Sequence, residues 1–504
     1  MELAHNTRNV GRAESVFDAK LEQPIDGNIT LPEYCPDIHR MLRCGMEPAV
    51  HSVQQSGERV TVEGNARVIV LYAAEDGSLQ SVEQNYPFTR IIDIPGLAED
   101  DAVTAVVKPE FSNARATSQR QLDTHGMLGV QVRAARVHED AVLTQVTGAG
   151  MQTLNDTVAV SSLESLSATA FPLTEVIEID QGAPPVDQIL LRHAAVVPGE
   201  VKAINNKLLA KGNLETRVVY RSRGVTEPVQ VLHVMPFSQI IEAPGVSEAT
   251  ENTLRLRVNA LDVTPKADST GAARLLDINA RVGAEARGFA PVELDVIRDA
   301  YSTQGGAQPN MRLLETRRLL ESFRETFVAR ETFDLNAQHV LLVGHEMLAP
   351  DVVIKPDSLQ INGKVKLHVA YTDQSGNAVM AEKELPYTFS RALKGDDNFA
   401  ADVDVQLLNL QESLSGGSLD VRAELAMAGE LFSASSRNVV GAVAHDETDI
   451  IASRAPLTIY FATHGEPLWE IAKRYRTTMD AVRLENEITG ETATGGQMLL
   501  IPSV

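Results

Sequence analysis

His345 and Glu346 begin a pattern typical of zinc proteases, in which a helix carries two histidines four residues apart and the glutamate acts as general base. Ala349 stands where the second histidine would be, so the pattern predicts no metal site. Gly148 and Gly150 lack the third glycine of a dinucleotide-binding loop. The chain also has no phosphate-binding loop with Lys-Ser/Thr and no Gly-x-Ser-x-Gly nucleophile motif.

Paired acidic residues add no catalytic site. Asp100-Asp101 and Asp396-Asp397 are typical of solvated turns. Residues 396–404 lack the alternating oxygen ligands that a Ca²⁺ loop needs. We therefore predict that the chain has no catalytic residue.

Cys35 and Cys44 are the only cysteines in 504 residues, too few for a disulfide framework, and they favour a reducing compartment. A metal site there would need two more ligands, for which His39 and His51 are the candidates. We expect neither metal nor cofactor, and the sequence leaves the role of the two cysteines open.

The charge balance is strongly acidic, with 68 Asp and Glu against 45 Lys and Arg and a net charge of −23. Nucleic acid and anionic lipid would repel such a chain, and no run of Lys and Arg opposes this trend. Residues 1–18 lack the apolar core of a signal peptide, and no run approaches the roughly 18 apolar residues of a transmembrane helix. We therefore expect a cytoplasmic protein with no transmembrane segment.

Three copies of one pattern follow each other along the chain, and this repetition organises the prediction of fold. Their landmarks are Gly64, Tyr72, Pro87-Phe88 and Pro95-Gly96, then Gly212, Tyr220, Pro236-Phe237 and Pro244-Gly245, then Gly363, Tyr371, Pro386-Tyr387 and Lys394-Gly395. A Leu-Asp pair follows in each copy, at Leu122, Leu276 and Leu419. Four landmarks in one order, three times, predict three homologous domains rather than a short-period solenoid.

Alternation of apolar and polar residues from Val60 to Tyr72 predicts a β-strand, and Gly77 suits the turn that follows it. A second strand is expected to run from Leu79 to Pro87, where proline must end the strand or lie at a sheet edge. Glycine would relieve crowding and the aromatic residue would fill the core. The repeat therefore predicts a scaffold and not a catalytic site.

The predicted fold class is mainly β, with three tandem β-rich domains followed by a small β-α-α-β module. The domains are assigned to residues 1–160, 161–310, 311–450 and 456–504. A polar run at residues 311–330 is interpreted as a connector between domains, although its apolar residues would also suit a pair of strands.

Leu31-Pro32-Glu33-Tyr34-Cys35-Pro36-Asp37-Ile38 precedes the first copy, and a weaker echo around Pro184-Pro185 precedes the second. Together with the tandem repeat, this segment resembles the SPOCS domain of spore-coat morphogenetic proteins from endospore-forming bacteria. The resemblance covers most of residues 15–445. It implies a non-enzymatic assembly protein that acts in the mother cell, at the surface of the developing spore.

The last fifty residues have a different pattern. A short apolar strand at residues 457–462 precedes Pro467, which suits the first position of a helix with Leu468, Ile471, Ala472 and Tyr475 on one face. Thr477 and Thr478 can cap a second helix, and Met498 begins a final strand that Pro502 ends.

These residues, with Tyr460, Trp469, Asn486 and Gly496-Gln497-x-Leu499-x-Ile501-Pro502, resemble a LysM module. The family binds glycans that contain N-acetylglucosamine, such as peptidoglycan. By resemblance, the groove would be formed by His464, Gly465, Glu466, Pro467, Leu468 and Trp469 on one side, and by Asn486, Glu487, Ile488 and Thr489 on the other. Leu468 and Ile488 are also expected in the core, and Trp469 suits either stacking on a sugar or covering the edge of the core.

Two functions from different classes follow. The first is a coat scaffold whose LysM module binds the basement-layer ATPase of the coat, stage IV sporulation protein A, or peptidoglycan. The acidic residues Glu466 and Glu487 beside the groove favour a basic protein surface over a neutral sugar. The alternative is a cell-wall hydrolase that a LysM module targets, or a general peptidoglycan-binding protein. The repeats offer a hydrolase no shared acids or nucleophile.

Overall fold

A computed structural model describes residues 3–148, 150–225, 227–394, 398–445 and 455–503. The strands of the first repeat are β1 (Ala4–Thr30), β2 (Arg40–Ser56), β3 (Arg59–Ala73), β4 (Leu79–Asp93), β5 (Ala102–Ser118) and β6 (Gln121–Thr147). They form two antiparallel sheets in the orders β1-β6-β5 and β2-β3-β4. Apolar side chains from both sheets meet in one core, so the repeat is a β-sandwich.

The other two repeats have the same topology. The second contains β7 (Met151–Glu178), β8 (Gln188–Ile204), β9 (Lys207–Arg221), β10 (Val229–Glu242), β11 (Glu251–Ala267) and β12 (Ala273–Ser302). The third contains β13 (Ala307–Asp334), β14 (His339–Met347), β15 (Asp351–Ile354), β16 (Ser358–Thr372), β17 (Ala378–Ala392), β18 (Asn398–Ser415) and β19 (Ser418–His445). The short strands β14 and β15 pair with successive parts of β16, where the first repeat has the single strand β2.

The repeated glycine and the repeated aromatic residue lie opposite each other on paired strands. Gly64 pairs with Phe88, Gly212 with Phe237, and Gly363 with Tyr387. A Cβ atom at Gly212 would lie 2.8 Å from Cζ of Phe237, so only glycine leaves room for the ring. All three aromatic side chains are buried, which confirms the prediction made from the repeat.

The segment that carries the SPOCS resemblance is a loop held by hydrogen bonds. The Tyr72 hydroxyl donates to the carbonyl of Pro36 at 3.0 Å, and Arg120 donates to the carbonyls of Pro32 and Cys35. The second repeat reproduces the loop, because the hydroxyl of Tyr220 donates to the carbonyl of Pro184 at 2.8 Å. This motif therefore shapes the fold.

The strand carrying the repeated proline does not end there. In the first repeat, β4 continues past Pro87 to Asp93, and it is an edge strand of its sheet. Proline is tolerated at an edge because its missing N–H faces away from the ladder. Of the two expectations for this proline, the edge position is observed. Gly395, Asp396 and Asp397 lie outside the described residues.

The first and last strands of each repeat form a long antiparallel pair, in which β1 and β6 each have 27 residues. One half of each pair packs on its own repeat, and the other half packs on the other two repeats. Equivalent positions meet in the same clusters, for example Leu143, Ile297 and Val440. A second cluster joins Leu71, Val219 and Ala370 from the smaller sheets.

The repeats therefore form one body with an approximate threefold arrangement. The sequence predicted three domains, with residues 311–330 interpreted as a connector between two of them. Residues 311–330 lie within β13 and form no connector, and the expected boundaries at 160/161 and 310/311 fall inside β7 and β13.

The C-terminal module contains β20 (Leu457–Phe461), α1 (Leu468–Tyr475), α2 (Met479–Glu485) and β21 (Met498–Pro502). The strands β20 and β21 pair antiparallel. Pro467 was expected at the first position of α1. It is instead the N-cap, and the helix begins at the next residue, Leu468. Among the described residues, no helix is long and apolar enough to span a membrane.

Candidate functional site

A compact apolar core positions the residues of the C-terminal module. Leu468, Ile471 and Ala472 of α1 pack against Val482 of α2, with Leu499 and Ile501 of β21 beneath them. The Thr478 hydroxyl accepts a hydrogen bond from the backbone N–H of Ala481, which caps α2. Leu468 is fully buried, and Ile488 is partly buried against the same core.

Asn486 uses its whole side-chain amide to join α2 to β21. Its Nδ2 donates to the carbonyls of Val482 and Leu500, at 2.9 and 2.7 Å. Its Oδ1 accepts from the backbone N–H of Leu500 at 2.7 Å. These bonds engage the donors and the acceptor of the amide within the module.

Glu466 is bound by its neighbours and is not a free charge at the rim. Its carboxylate accepts hydrogen bonds from the Tyr460 hydroxyl and from the backbone N–H of Thr463, and it forms an ion pair with Arg474 at 3.1 Å. Although burial opposes the effect, the hydrogen bonds from Thr463 and Tyr460 and the charge of Arg474 lower the pKa of Glu466. Because these contacts engage its carboxylate, Glu466 is less available to attract a basic partner than the sequence predicted.

The remaining groove residues are exposed, namely His464, Gly465, Pro467, Glu487 and Thr489. Gly465 and Glu487 both have a positive φ, of 73° and 53°. The first loop is fixed by backbone pairing, because the N–H of Leu468 donates to Glu491 and the N–H of Ala493 donates to Glu466. The two predicted sides are therefore connected through residues 491–493.

Trp469 does not face solvent beside these loops. It is 7 % exposed, and its ring lies edge-on against the ring of Tyr301, with 4.9 Å between centroids. Its indole N–H donates to the carboxylate of Asp299 at 2.8 Å. Of its two expected roles, the structure shows the covering of a core edge, and the covered edge belongs partly to the second repeat.

A face of the two-stranded sheet is apolar and exposed. Leu457, Ile459 and Phe461 alternate along β20, so they share one face, and Met498 of β21 lies opposite Phe461. Their exposed fractions are 43 %, 61 %, 64 % and 52 %. Contiguous exposed apolar side chains of this kind mark interaction sites more often than isolated ones do.

Sequence reasoning missed this face and the contact with Asp299 and Tyr301. The alternation of Leu457, Ile459 and Phe461 was a visible signal, but a five-residue strand does not show which side faces the core. The contact with Asp299 had no local signal, because the partners are 170 residues apart.

The two cysteines are free thiols. Cys35 is buried and Cys44 is half-buried, and burial raises the pKa of both. Within the described ranges, no group of three or more His, Cys, Asp or Glu side chains is arranged to hold a metal ion.

The comparisons with known proteins concern the repeats. A family model described as SipL, SPOCS domain, matches residues 37–117 and 185–266. The first matched segment contains β2 to β4 and nearly all of β5, and the second contains β8 to β10 and nearly all of β11. No curated protein matches the chain.

Proposed function

We propose that this protein is a non-enzymatic scaffold of the spore coat, acting in the mother cell at the surface of the developing spore. The observation that carries the proposal is the SPOCS match to two repeats of the same topology. The shared cores of the three repeats support a rigid body with large surfaces, which suits assembly.

The partner that we propose is the basement-layer ATPase of the coat, a protein like stage IV sporulation protein A, bound through the LysM-like module. The exposed apolar face of β20 and β21 supports a protein partner. Covering an apolar surface with another protein removes it from water, and this makes binding more favourable. We infer that Ile459 and Phe461 lie at the centre of this contact.

A glycan ligand has less support in the module's side chains. Trp469, the one tryptophan available for stacking, packs on Tyr301, and the amide of Asn486 bonds within the module. Exposed loop residues such as His464 and Thr489 remain as the groove surface. We therefore place peptidoglycan second to a protein as the ligand.

The partner proposal is tested with the full chain and purified ATPase. Phe461→Glu should abolish or strongly weaken binding, because it places a charge in the apolar face. Leu484→Glu is the matched control, since Leu484 is 85 % exposed on α2 and lies outside that face. Equal binding by both variants would contradict the proposal.

The same preparations test the absence of enzymatic activity. Labelled peptidoglycan incubated with the full chain should release no soluble fragments, while a cell-wall hydrolase would release them. Sedimentation with insoluble peptidoglycan measures glycan binding separately. Tight binding that survives Phe461→Glu would make the glycan the principal ligand.

A further inference from the structure

The C-terminal module is held against the second repeat by a small set of side chains. Asp299 of β12 accepts a hydrogen bond from Trp469, and Nζ of Lys473 approaches the same carboxylate at 2.6 Å. The Tyr301 hydroxyl donates to the carbonyl of Thr477 at 2.7 Å. Leu154 of β7 packs against the same cluster. We call Asp299, Tyr301 and Leu154 the seat.

The seat belongs to the second repeat alone. The three long strand pairs share an irregularity near their ends, which aligns them residue by residue. At the position of Asp299 the other repeats have Gln145 and Ala442, and at that of Tyr301 they have Thr147 and Ala444.

Neither alternative offers the carboxylate or the aromatic hydroxyl. The module follows the third repeat in the chain, yet it packs on the second. The side chains at the seat distinguish the second repeat from the other two, whereas sequence order does not.

We propose that the seat is an intramolecular latch that closes the Trp469 face of the module. In the latched protein the indole is covered, while the apolar face of β20 and β21 stays exposed. A ligand that needs Trp469 must therefore displace the second repeat first. A ligand of the β20–β21 face binds without opening the latch.

The contacts favour a latch with measurable strength. The Asp299 side chain is 19 % exposed. Its carboxylate accepts from the ammonium group of Lys473 and from the indole N–H of Trp469, and hydrogen bonds to an ionised group are stronger than neutral ones. Removing it would leave the indole N–H of Trp469 buried without its acceptor, a condition that favours release into water.

Trp469 is the only tryptophan in the chain, so its fluorescence reports the latch directly. The full chain should show blue-shifted emission and weak quenching by acrylamide. Asp299→Ala should shift the emission to longer wavelength and raise the quenching constant toward that of free indole. Asp295→Ala is the matched control, because Asp295 lies on the same strand and bonds Thr157.

Lys473→Ala provides a second test from the side of the module, and it removes only the ion pair. It should raise quenching less than Asp299→Ala does, with the circular dichroism spectrum unchanged. If Asp299→Ala fails to fold, Lys473→Ala decides. The proposal is overturned if Trp469 of the unaltered chain is quenched as freely as free indole, or if the folded variants leave quenching unchanged.

Discussion

Single residues explain why the repeat is visible at all. In each repeat a glycine lies opposite an aromatic ring on the paired strand, and a Cβ atom at the glycine would clash with that ring. Phe237→Ala should lower the free energy of unfolding by about 3–5 kcal/mol, because a fully packed ring leaves a cavity. Urea unfolding measures this loss, and an unchanged midpoint would show that Phe237 is not part of the core.

At this scale the sequence was a good guide to the landmarks and a poor one to the module. Glycine-to-tyrosine spacing recurs because it is local to one strand, so Tyr72 and Tyr220 were predictable core residues, and both are fully buried. Trp469 was ambiguous because its partners, Asp299 and Tyr301, come from a distant strand. No spacing of residues along the sequence predicts the contact of Trp469 with these two residues.

At the scale of elements, the start of α1 depends on an unusual support. Pro467 provides no side-chain cap for the helix. The loop before the helix is held instead by the Glu466 carboxylate, which accepts hydrogen bonds from Thr463 and Tyr460. Glu466→Ala should lower the stability of the module by about 1.5–3 kcal/mol, as is typical for hydrogen bonds to a charged group.

Trp469 emission during urea unfolding is the measurement for Glu466→Ala. Glu487→Ala is the control, because Glu487 is exposed. Equal midpoints for the two variants would mean that Glu466 does not organise the loop.

The strand pairs of 27 to 30 residues could not be predicted from the sequence, for a physical reason. The half of each pair that packs between repeats alternates apolar and polar residues like any half-buried strand, as in β13. Its polar run suited a connector because its buried positions, such as Leu314 and Leu319, face another repeat. Periodicity shows that a face is buried but not what buries it.

For the whole molecule, histidines at the junction between repeats make stability depend on pH. His193 of the second repeat and His345 of the third lie with ring centroids 4.4 Å apart, and Nε2 of His193 lies 2.9 Å from the carbonyl of Leu407. Burial lowers the pKa of His193 and of His368 to about 4. Burial and nearby positive charge, including Arg217 and Arg43, lower the pKa of His345 as well.

Unfolded histidines titrate near pH 6.5. Between about pH 6.5 and pH 4, the unfolded chain therefore binds protons at these histidines that the native protein does not bind. These histidines therefore contribute full stability above pH 6.5, and the contribution falls as the pH drops toward 4. His345→Gln should make the melting temperature less sensitive to pH over this range. His125→Gln, at a residue 67 % exposed, should leave the dependence unchanged. A dependence equally steep in both variants would rule out His345 as one of its sources.

The three-repeat arrangement also sets a stoichiometry. Three sandwiches on separate chains would have to find one another, and their association would weaken on dilution. On one chain the effective concentration is fixed by covalent linkage, so the arrangement persists at any abundance of the protein. Covalent linkage also lets the copies diverge, so that one of three related surfaces carries Asp299 and Tyr301. A lattice built from this protein would therefore receive one module for every three sandwiches.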